Sequence, residues 1–76
     1  MKELKKIFAD FLNSDVKGRV RLNTNGTFED LEKNNIALEP GLELLLDDDN
    51  GLSTVGIVQF SEEEKIWVAE IDREKL

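Results

Sequence analysis

The sequence predicts an α+β fold dominated by β-structure. Three observations carry that expectation. Leu52 to Asp72 holds two apolar runs around a short acidic break, Ser61-Glu62-Glu63-Glu64. The runs are rich in β-branched and aromatic residues, and the break has hairpin length although it lacks the expected Gly. Both runs also carry apolar residues on both pleat faces. Val55 and Ile57 oppose Val58 and Phe60, while Ile66 and Val68 oppose Trp67, Ala69 and Ile71. A sheet with two apolar faces needs cover on each side or must curl on itself. Finally, an isolated Gly56 inside the first run signals a bulge or tight bend.

The N-terminal stretch, residues 2–13, places Leu4, Ile7, Phe8, Phe11 and Leu12 at the spacing of one helical face. The expected element is a helix docked on the hairpin and ended by Asn13-Ser14-Asp15. In the next segment, Val16 to Thr24, Val20 and Leu22 alternate with Lys17, Arg19, Arg21 and Asn23, which reads as a half-buried strand with one basic face. Asn25-Gly26 turns the chain. Thr27 caps a short helix with Asp30 as its box partner, Phe28 and Leu31 form its apolar face, and Asn34-Asn35 ends it. Glu39-Pro40-Gly41 is a turn. Leu42 to Asp47 is a strand with Leu42, Leu44 and Leu46 on one face and Leu45 on the other. Asp47-Asp48-Asp49-Asn50-Gly51 leads into the hairpin.

These elements assemble as a small SH3-like barrel or a strongly bent four-stranded antiparallel sheet. The N-terminal helix packs on it, and the short helix lies between the first and second strands. A flat four-stranded antiparallel sandwich is the alternative. With 76 residues the chain reads as one domain, 1–76. A chain this short buries only ~60% of its unfolded surface.

Net charge is −7, and it is uneven: residues 1–26 sum to +3 and residues 27–76 to −10. An acidic chain repels nucleic acid over most of its surface and suits a basic partner. There is no His, Cys or Tyr. That removes Ser-His and Cys-His nucleophile systems and the usual zinc, copper and haem ligands. No enzyme activity, catalytic residue, cofactor or metal site is expected. An EF-hand loop aligned on Gly51 would put Leu46 first and Ile57 twelfth, both wrong for calcium, so Asp47–Asp49 reads as a solvated acidic loop. No apolar run reaches ~18 residues, and the N-terminus does not resemble a signal peptide. The expected location is cytoplasmic, which leaves the Asn25-Gly26-Thr27 sequon without use.

Lys17, Arg19 and Arg21 are the candidate binding residues, because they line one strand face. The competing reading pairs them across strands with acids such as Glu43 or Glu70. The phrases GRVRLNTNGTFEDL, LEPGLELLLDDD, and GIVQF followed by WVAEID together resemble a family of small bacterial proteins of uncharacterised function, over about residues 18–72. That resemblance implies no activity and no site residues. The expected function is a protein-interaction module or accessory subunit, as a monomer or weak homodimer. The alternatives are a nucleic-acid-associated barrel and an acidic inhibitor or nucleic-acid mimic.

Overall fold

A computed structural model describes residues 3–76. The chain runs β1 (Lys6–Phe8), β2 (Val20–Arg21), α1 (Asn25–Lys33), β3 (Glu43–Asp47), β4 (Ser53–Ser61), β5 (Ile66–Ile71) and a final 3₁₀ turn (Arg73–Lys75). The strands form one curled, mixed five-stranded sheet in the order β1-β3-β4-β5-β2. The fold is thus α+β and mostly β, with one α-helix.

The β4–β5 hairpin is the long element the sequence predicts. Its loop solves the missing-glycine problem with Lys65, which takes a left-handed φ of 59° while its amide donates to the Ser61 carbonyl at 2.7 Å. Opposed residues share a face. Rows through Val20, Ala69 and Val58, and through Leu46 and Ile7, therefore define the inner face. These residues join Leu22, Leu44, Ala9 and Phe11 in one buried cluster. Phe60 and Trp67, opposed on the hairpin, meet edge to face at 5.2 Å. The ladder runs through Gly56 without a bulge, so of the two readings of this Gly the bulge is excluded, while the sheet is curled as expected. Gly56 is required by crowding instead: a Cβ there would lie 2.7 Å from Leu46 Cδ1.

The N-terminal helix is not formed. Residues 6–8 are a strand, parallel to β3, and residues 10–13 turn. Lys2 lies outside the described residues. The same residues hold a second periodicity: Ile7, Ala9 and Phe11 alternate inward and are buried, while Leu12 is 95% exposed. A short apolar run fits either period. What decides is the free edge of β3, whose backbone groups need partners. The sheet consequently has five strands and mixed direction, not four antiparallel ones.

The expected basic strand is also shorter. Only Val20–Arg21 is strand, because Asp15 to Arg19 close a tight turn with Gly18 at φ 81°. Asp15 N–H donates to the Arg19 carbonyl at 2.9 Å, and Arg21 N–H donates to the Asn13 carbonyl at 2.8 Å. The stretch leaving β1 therefore pairs along the outer edge of β2.

Helix α1 begins earlier than predicted. Thr24, not Thr27, is the N-cap and accepts from the Thr27 amide. The expected box does not form. Asp30 instead accepts the Phe8 amide at 2.7 Å, and the Thr27 hydroxyl donates to the Phe8 carbonyl at 2.7 Å. Two helix side chains thus occupy the outer edge of β1, where another strand would otherwise pair.

Candidate functional site

The outer face of the sheet carries the charged residues singled out by sequence, and it divides into two ends. At one end Arg21, Val68 and Gln59 form a row across β2, β5 and β4. Val68 is fully buried although it lies off the main core. Arg19 covers it. Its guanidinium reaches Gln59 Oε1 at 3.2 Å, two strands away, and so crosses β5.

All three candidate binding residues meet acids of this same chain. Asp15 Oδ2 accepts from Arg19 Nε at 2.9 Å, and Asp15 Oδ1 accepts the Lys17 and Arg19 amides, both at 2.9 Å. This pair is nearly closed to solvent, with side-chain exposures of 13% and 3%. Burial raises the Asp15 carboxyl, but the Arg19 amide, the Arg19 guanidinium and the Lys17 amide outweigh it and hold it below its ordinary value. Arg21 binds Glu64 in a two-pronged pair, Nε to Oε1 and Nη2 to Oε2, both 2.7 Å. The hydrogen bond from Arg21 lowers the Glu64 carboxyl, and the same bond raises Arg21. Lys17 Nζ lies 2.9 Å from Glu63. The partners are therefore Asp15, Glu63 and Glu64, not Glu43 or Glu70. Loop placement explains the difference: the β4–β5 loop folds back beside β2, whereas strand alternation alone suggests partners on the strands.

The C-terminal turn is tied to this end. Arg73 donates to the carbonyls of Phe11 and Gly18 and to the Ser14 hydroxyl.

The other end is open. Leu45 stands opposite Val55, and Ile57 stands between Glu43 and Glu70. Val55 and Ile57 are 42% and 40% exposed. A shallow groove of about 520 Å³ runs beside them, lined by Thr54, Ile71, Asp72 and Lys75 among others. The sequence expectation that both sheet faces are covered therefore fails here. The alternation Val55-Ile57 was legible, but which half of the face stays bare depends on where Arg19, held beside β2, reaches across to Gln59.

Two further features carry less. A depression of about 250 Å³, walled by Leu4, Ile36, Ala37 and Leu42, is below the usual size of a small-molecule site. In the acidic loop, Asp47 accepts the Asp49 amide, and Asp48 accepts those of Asn50 and Leu52. These carboxylates shape the turn. Among the described residues there is no group of three or more His, Cys, Asp or Glu placed to hold a metal ion, and no helix is long and apolar enough to cross a membrane.

Comparison of the chain with protein-family models, with curated proteins and with solved structures finds no match.

Proposed function

We propose that this chain is a non-catalytic protein-interaction module, an accessory subunit acting in the cytoplasm. The observation that carries the reading is the bare pair Val55 and Ile57, beside the half-buried Leu45, on a sheet whose inner face is closed and whose β1 edge is occupied by the helix. An apolar centre with a charged border is the anatomy of a protein contact. Pairing of Lys17, Arg19 and Arg21 with acids of the same chain supports the same reading over nucleic-acid binding, because the charge of those three residues is already met. The proposal includes an SH3-like closure of the sheet. The bond from the Arg21 amide to Asn13 supports it, since it joins the chain leaving β1 to the edge of β2.

A photo-crosslinking residue placed at Ile57, and separately at Lys17, tests the reading in extract of the source cell. The expected result is a discrete protein adduct from position 57 and none from position 17. Adducts from position 17 alone, or retention on heparin at low salt, would sink it.

A further inference from the structure

We infer that the open end of the outer face is built for a cationic protein segment, one that lays apolar side chains on Val55 and Ile57 and sets Lys or Arg against Glu43 and Glu70. The inference rests on the protein-binding reading and names the chemistry of the partner.

Ile57 on β4 has Glu43 opposite it on β3 and Glu70 opposite it on β5. Neighbouring strands lie ~4.8 Å apart, so the two acidic positions bracket Ile57 at roughly 10 Å from each other. That separation is comparable to the ~8 Å screening length at physiological salt, so their fields overlap on whatever lies above Ile57. Both residues are exposed.

Among the described residues neither carboxylate is part of an ion pair. The ion pairs among the described residues use Asp47, Glu63, Asp15, Glu64 and Glu62. Glu43 and Glu70 have no lysine or arginine of those residues within 4 Å. The adjoining groove adds Asp72 and Lys75, whose charges cancel, so the surface stays negative. The contrast with the other end is sharp. There, Lys17, Arg19 and Arg21 have each met an acid of their own chain; here, acids flank exposed β-branched side chains.

Other occupants fit poorly. In a two-fold contact through this face, each row of carboxylates would meet its own copy, and like charges directly opposed are unfavourable. Nucleic acid and anionic bilayers are repelled by the same pair. Lys and Arg suit the site in both parts. Their aliphatic stems lie along apolar surface while the charged heads reach outward, and a head above Ile57 has a carboxylate on each side.

The test uses the full chain, ¹⁵N-labelled, and three synthetic peptides of one length with alternating patterns: Val/Lys, Val/Ser and Val/Glu. The Val/Lys peptide should shift the amides of residues 43–45, 55–57 and 70–72. It should bind about tenfold tighter than Val/Ser and weaken severalfold as salt rises from about 20 to about 150 mM. Glu43→Gln combined with Glu70→Gln should bring Val/Lys down to the Val/Ser level, with the circular dichroism spectrum unchanged. Equal, salt-independent binding of Val/Lys and Val/Ser on this face would overturn the cationic inference and leave the protein-binding reading standing. Val/Lys shifts confined to residues 47–49 or 62–64 would also overturn it. No shift on this face from any peptide would defeat both readings.

Discussion

Two rows of one sheet face make an instructive pair. Arg21–Val68–Gln59 and Glu43–Ile57–Glu70 each set a β-branched residue between polar neighbours. Val68 is sealed, and Ile57 is 40% exposed. The difference arises outside the rows. At the first, residues 13–19 turn beside the edge of β2 and bring Asp15, whose carboxylate takes two hydrogen bonds from Arg19 and one from the Lys17 amide and so fixes Arg19 across the row. At the second, no segment crosses. Charge in a sequence therefore does not tell which groups are already paired within the fold; Arg19 and Arg21 are paired, and Glu43 and Glu70 have no basic partner within 4 Å among the described residues.

The comparison can be broken most severely at Asp15. Asp15→Ala strands a part-buried guanidinium and leaves two amides without their acceptor, so stability should fall by about 3–5 kcal/mol in urea unfolding. A loss below about 1 kcal/mol would mean that the covered end is no more structural than the open one.

Crowding on the inner face ranks next. Gly56→Ala pushes a Cβ onto Leu46 Cδ1 and against Ala69 Cβ, and should cost about 1–3 kcal/mol by thermal unfolding. A neutral result would show that the row next to Ile57 can yield.

Acid sharpens the contrast by titration. The folded-state Asp15 and Glu64 carboxyls sit below their ordinary values, so the folded protein binds those protons more weakly than the unfolded chain. Their contribution is present at neutral pH and is lost as pH falls through about 4 and below. The stability gap between the native chain and Asp15→Asn should shrink over that window. A gap that stays constant to pH 2 would remove the electrostatic account of Asp15.

The Arg21–Glu64 pair is partly open to water, at 28% and 32%. A double-mutant cycle with Arg21→Gln and Glu64→Gln should give a small favourable coupling that declines with added salt. The smallest effect belongs to the open end, where Glu43→Gln and Glu70→Gln should each alter stability by less than about 0.5 kcal/mol. A large loss there would show those acids to be structural.

Much of the β-structure was legible. The 52–72 hairpin, the inward Leu44 and Leu46 with outward Leu45, and the helix ended by Asn34-Asn35 follow from period and turn chemistry alone. The N-terminal strand was not, because Leu4, Ile7, Phe8 and Phe11 satisfy the helical spacing as well as Ile7, Ala9 and Phe11 satisfy alternation. The choice was made by a strand about 40 residues away. Asp30 likewise read as a capping residue, yet its partner is the Phe8 amide, a contact with no local signature. The open acidic row was hidden for the same reason: Glu43, Ile57 and Glu70 become neighbours only through the register of three strands.

The parallel pairing of β1 with β3 has a consequence for how the protein is made. On the ribosome, residues 6–8 emerge well before their partners, residues 45–47. At ~5–20 residues per second, the interval is roughly 2–8 s. Throughout it, Ile7, Phe8 and Phe11 have no sheet to enter. Nascent chains stalled before Leu45 should therefore present this segment to chaperones and proteases, whereas chains stalled after Ile71 has cleared the exit tunnel should withhold it.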